Sequence, residues 1–221
     1  MSVARGWALT AVAGAVGLGV LHHLGRTYGS TPAERAAALP GDDIVPAPTA
    51  VTDHAITIDA PPEDVWPWLV QMGWGRAGWY TARWVDRLLF PANGPSADRI
   101  VPELQHIELG TFIPDGPPET KCGLVVEGLE PERVLVLHST THLPLSWREH
   151  AAADWSWSFV LTPQPGGRTR FHFRSRWVTS PWWFSLGVGL TIVPADFVMA
   201  RDMLAGVKQR AERTATSGRA A

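Results

Sequence analysis

Hydrophobic positions change their period along the chain, and each change predicts an element. Gly6 to Gly25 holds no Asp, Glu, Lys or Arg and is bracketed by Arg5 and Arg26. As a helix at ~1.5 Å per residue it spans ~30 Å, the thickness of a bilayer core. Residues 27–50 read as a linker: Thr31-Pro32 caps a short helix towards Leu39, then Gly41, Pro46 and Pro48 forbid regular structure. Ile56 and Ile58 alternate as a strand, and Ala60-Pro61-Pro62 turns the chain. Val65, Trp68, Leu69 and Met72 then form one stripe of an amphipathic helix that stops at Gly73. Pro67 fits that helix most cheaply in its first turn, with Asp64 as the cap. A second helix is expected over Trp79–Phe90, ended by Asn93-Gly94-Pro95.

Period-two patterning takes over next. Strands are expected at Cys122–Leu129, Val134–Ser139, Trp155–Thr162 and Thr169–Val178, the last two joined by Pro165-Gly166-Gly167. Trp155, Trp157, Phe159 and Leu161 share a face that Phe171, Phe173, Ser175 and Trp177 must match. The opposite face carries Asp154, Ser156, Ser158, Arg170, His172, Arg174 and Arg176 and reads as solvated. Residues 177–195 are uncharged, but Pro181 and Pro194 leave about twelve usable residues, too few for a span. A buried helix, a lid or an interfacial segment anchored by Trp182 and Trp183 all fit. A last helix runs from Pro194 to Arg213 on the stripe Phe197, Ala200, Leu204, Val207 and Ala211, and a disordered tail follows over 214–221.

Composition narrows the function classes. The 221 residues are 45% hydrophobic and 18% charged with net charge −2, enough for a core and without the basic excess that nucleic acid requires. A single cysteine, Cys122, excludes an internal disulfide framework. Twelve tryptophans stand against two tyrosines, and tryptophan suits cores, cavities and membrane interfaces alike. Residues 1–26 are read as an uncleaved single-pass anchor, since no A-x-A cleavage site follows closely; a cleaved signal or a soluble helix remain alternatives. The flanking arginines leave orientation open, with the cytoplasmic side preferred. Gly73-Trp-Gly-Arg-Ala-Gly78 spells G-x-G-x-x-G, but a helix precedes it and Trp74 and Arg76 fill it, so no nucleotide site is expected.

One strand, two short helices, antiparallel strands and a long final helix, together with ITIDAPPEDVWPWLVQMG, SADRIVPELQ and VMARDMLAGVKQRAE, resemble the START-like (SRPBCC) superfamily. The likeness covers residues 51–213, and the segments look like a bacterial membrane-associated subgroup labelled polyketide-cyclase-like. It implies an α+β helix-grip domain, a curved antiparallel sheet around a C-terminal helix with an apolar cavity between them. Expected ligands are hydrophobic small molecules or lipids, bound or transferred at a membrane, with no cofactor. A cyclase, aromatase or dehydratase is the alternative, and a non-ligand accessory domain with a filled core is the third.

On that reading Trp155, Trp157, Phe171, Phe173 and Trp177, opposed by Phe197, are cavity wall or solid core. Arg99 is the candidate to grip a ligand carboxylate or enolate, against an ion pair with Asp98 or Glu103. Tyr80 and Trp84 flank the same mouth or belong to the core. His138, His142 and Asp154 are weak acid–base candidates. No metal site is expected, because His138-x-x-x-His142 supplies only two ligands.

Overall fold

The structure, a computed structural model, describes residues 2–89 and 91–219; Phe90 and the last two residues of the expected tail lie outside them. Strand β5 (Ala152–Gln164) and strand β6 (Arg168–Ser180) form the long hairpin that frames the domain. Its register pairs Trp155 with Trp177, Phe159 with Phe173 and Leu161 with Phe171, so the expected parity holds across the whole apolar face. Gly166 and Gly167 both take positive φ in the turn. Strand β1 (Ala50–Ile58) pairs with β6 on one side. On the other side follow β4 (Val134–Ser139), β3 (Gly123–Glu130) and β2 (Phe112–Pro114), giving one antiparallel sheet of order β1-β6-β5-β4-β3-β2.

Between β1 and β2 lie helix α3 (Pro62–Val70) and helix α4 (Arg83–Leu89). Helix α3 starts with Pro62 at its first position, and Pro67 sits inside it, not in a first turn capped by Asp64. Burial of Val65, Trp68 and Leu69 offsets the hydrogen bond that Pro67 cannot donate. The GWGRAG loop is a closed bend in which Gly73 and Gly78 exchange backbone hydrogen bonds. Arg76 turns back to donate to the carbonyls of Val70 and Met72, satisfying the end of α3. The second helix starts only at Arg83, because Trp79, Tyr80 and Thr81 are drawn into the interior as irregular chain, with Tyr80 at a positive φ of 58°.

Helix α6 (Val193–Arg219) grips the apolar sheet face with Leu204, Val207 and Ala211 fully buried. It continues past Arg213, and Ala215 is still buried, so residues 214–219 are helical and not a loose tail. Tyr80 crosses α6 at Gly206, where a Cβ would run into the Tyr80 carbonyl. Gly206→Ala is expected to cost about 1–3 kcal/mol of unfolding free energy, read from denaturant midpoints.

Pro194 does not break the chain into separate pieces. Helix α5 (Trp182–Gly187) runs through a π-helical stretch, Val188–Ile192, directly into α6. The wider π turn precedes the proline, so the lost N–H is absorbed there and the helix continues. The result is one helix, Trp182–Ser217, that among the described residues is long and apolar enough to cross a membrane. The expectation assigned that property to the N-terminal helix α1 (Ser2–Thr27). The side chains of part of that helix lie outside the described residues, and its described part does not bear the expectation out.

The face expected to be solvated is covered. Residues 28–49, with the short helix α2 (Pro32–Ala36), lie across it as a strap. Arg170 binds Glu34 at 2.7 Å, Arg174 binds Asp42 at 2.8 Å, and Arg176 donates to the Val45 carbonyl at 2.9 Å. The arginines of β6 thus satisfy carbonyls and carboxylates of a segment with little secondary structure of its own. The hydrogen bond from Arg170 is the main cause that lowers the Glu34 carboxyl to a pKa of about 2.

Candidate functional site

Sheet and α6 do not close on each other completely. Between them remains a cavity of about 650 Å³. Trp155, Trp157, Phe173 and Trp177 line it from the hairpin, and Met199, Ala200 and Met203 from α6. Trp74, Trp79 and the loops at 115–122 and 142–144 close its sides.

Period-two spacing on β5 and the β5–β6 register place the indoles next to one another, and they stack. Trp177 and Trp155 lie 4.3 Å apart at 9°, Trp155 and Trp157 5.1 Å apart, and Trp157 and Trp79 5.5 Å apart. Both faces of Trp155 are therefore covered by neighbours, which favours a rigid wall over an adaptable one.

Two imidazole–carboxylate pairs meet this apolar lining. His142 Nε2 lies 2.6 Å from Asp115 Oδ2, with the imidazole edge-on to Trp155 at 4.4 Å. Burial by itself would lower the His142 pKa. Hydrogen bonding and charge from Asp115 and Cys122 overcome that and raise it from 6.5 to about 9. Asp196, at the start of α6, also lines the cavity, and its Oδ2 lies 3.2 Å from Nε2 of the fully buried His54. Among the described lining residues there is no lysine or arginine.

The expected site residues divide sharply. Trp155, Trp157, Phe173 and Trp177 meet on the cavity wall, and His142 joins them. Phe171 is fully buried against Phe159 in the solid part of the core. Tyr80 is buried too: its hydroxyl donates to the Trp68 carbonyl and accepts from Gln71, each at 2.9 Å, so it is a core residue away from the mouth. Burial is the main cause that raises its pKa. Trp84 is exposed on α4. Arg99 is exposed outside the cavity, where only its carbonyl is engaged, by Gln71. Asp98, offered as its ion partner, binds Arg210 instead. Phe197 turns towards α1 and meets Tyr28 edge-on at 5.4 Å. His138 and Asp154 do pair, at 2.7 Å, but on the opposite sheet face from the cavity.

Several lining residues escape sequence reasoning. Met199 and Met203 are four apart on α6, one position off the stripe that Phe197 suggests, and that spacing was readable. Asp115 and Asp196 carry no local signal, since each becomes part of the site only through a distant loop or helix end.

No family model matches the chain, and no curated protein matches it. Solved structures do. Protein MLL2253 from Mesorhizobium loti aligns at 15% identity over 74% of this chain and 98% of that one, with TM-score 0.42. Hypothetical protein jhp0584 from Helicobacter pylori aligns at 10% identity over 79% and 95%, with TM-score 0.48. The Zhui aromatase/cyclase from Streptomyces sp. R1128 aligns at 14% identity over 74% and 94%, with TM-score 0.32. All three scores are below 0.5, so the fold is read from the chain's own strand order and helix placement: an α+β helix-grip arrangement, a six-stranded antiparallel sheet packed on a long C-terminal helix.

Proposed function

We propose that this protein binds a hydrophobic or amphipathic small molecule between its sheet and α6, while held at a membrane by its apolar helical surface. The observation that carries the reading is the cavity itself: about 650 Å³, walled by tryptophans and methionines with a few polar groups on one side. That size and chemistry suit a small-molecule site, and they argue against a filled-core accessory domain. Lacking Arg and Lys, and carrying two carboxylates, the lining favours a neutral ligand over the carboxylate that Arg99 was expected to hold.

Native mass spectrometry of the full chain purified from its host membrane is expected to show a defined co-purifying molecule. The neutral fluorophore N-phenyl-1-naphthylamine is expected to bind, and Ala200→Phe, which projects a ring into the cavity, to weaken it at least tenfold. Absence of both a retained molecule and probe binding would sink the reading.

A second reading is favoured by one specific arrangement. His142–Asp115 and Asp196 present a proton donor and a proton acceptor to one water-poor space, the equipment for cyclase- or dehydratase-like chemistry at a carbonyl compound. A synthetic β-polyketone incubated with the protein would then lose water, and His142→Gln would abolish the loss.

A further inference from the structure

The cavity has an apolar doorway. Of its lining residues, those exposed at the surface are Pro91, Ala92, Pro144 and Ile192, none of them polar. A mouth that exchanges ligand with water gains nothing from such a rim.

The surface beside it is also apolar. Trp182 is 76% exposed, Leu186 54% and Leu190 52%, and Trp183 and Ile192 are exposed as well. The neighbouring loop contributes exposed Leu145 and Trp147, and Trp147 meets Phe184 of α5 at 6.0 Å. Loop and helix are thus one patch, and they carry Pro144 and Ile192 to the rim. No charged residue occurs from Trp177 to Ala195. On the Pro91 side of the rim, exposed Arg83 and Arg87 stand where a charged headgroup would meet them.

Residues 182–192 form a helical arm of ~16 Å at ~1.5 Å per residue, about half the hydrocarbon thickness. Its continuation cannot span a bilayer, because Leu204 and Val207 are locked against the sheet. The arm's own backbone hydrogen bonds are internal, so it can enter hydrocarbon.

We propose that the α5–π arm and the Leu145–Trp147 loop dip into one leaflet of a lipid bilayer, so that the cavity mouth opens onto acyl chains and its ligand enters laterally from the membrane. The inference rests on the cavity reading above and adds the partner surface and the route.

The test uses the full chain reconstituted in phosphatidylcholine/phosphatidylglycerol vesicles. Leu186→Cys and, at the far end of the sheet, Glu130→Cys are each labelled with an environment-sensitive nitrobenzoxadiazole on a Cys122→Ser background. The label at 186 is expected to shift blue and be quenched by acyl-chain nitroxide lipids, and the label at 130 to report water. Equal, aqueous behaviour at both positions would overturn the proposal. In a second arm, N-phenyl-1-naphthylamine is supplied either from doped vesicles or directly in buffer. Leu186→Asp with Leu190→Asp is expected to slow loading from vesicles at least tenfold and leave binding from buffer unchanged. Unchanged vesicle loading overturns lateral entry while the cavity stands; no binding to the unaltered protein by either route overturns the cavity itself.

Discussion

Arg174→Met is expected to lower the unfolding free energy by about 3–5 kcal/mol, the scale for removing one partner of a buried, hydrogen-bonded ion pair. Arg174 is 3% exposed. Its Nε meets Asp53 at 2.9 Å, Nη1 meets Asp42 at 2.8 Å and the Ala37 carbonyl at 2.9 Å, and Nη2 reaches the carbonyls of Glu34 and Arg35. Methionine fills the volume but takes the guanidinium from two carboxylates and three carbonyls. Asp53 is left to His172, and Asp42 to the Leu39 N–H and Arg176, so desolvation dominates the loss. Urea denaturation followed by circular dichroism measures it. Arg133→Ala, which removes a largely exposed partner of Glu130, should move the midpoint by no more than about 0.5 kcal/mol equivalent. A small effect at Arg174 would mean that the strap is not held by this residue.

Stability should also fall as pH rises from 6.5 through about 9. The His142 value in the folded protein, about 9, lies above its ordinary 6.5. The folded state therefore holds the proton more tightly, and the resulting stability is complete below pH 6.5 and lost as pH passes about 9. The ceiling is roughly 3 kcal/mol, from about 1.4 kcal/mol per pKa unit. His142→Gln keeps a polar group beside Asp115 yet cannot titrate, so its unfolding free energy should be flat over that window. A wild-type profile equally flat would remove the charged imidazolium from the site.

The sequence-level logic reached the hairpin because a sheet covered on one side repeats every two residues. Trp155 to Leu161 and Phe171 to Trp177 announce both the face and the register. It reached the fold because element order needs no contact information. It failed where proximity is made by tertiary structure alone. Asp115 and His142 come from different loops, and nothing near either predicts 2.6 Å. The strap was misread for the same reason: alternating arginines look solvated until Asp42, far away in sequence, is laid over them. Pro67 and Pro194 show that helix-breaking propensity yields when burial on one side, or a π turn on the other, supplies the difference.

The tryptophan ladder also has an optical consequence. Trp177 and Trp155 lie nearly parallel at 4.3 Å, with Trp157 and Trp79 following in the same row. Indoles this close share their excited states, so the far-ultraviolet circular dichroism should carry an exciton couplet superimposed on the helix and strand signal. A molecule entering the cavity borders these rings and disturbs their spacing or polarity. The protein therefore contains its own label-free reporter, in which loss or inversion of the couplet marks occupancy without any added fluorophore.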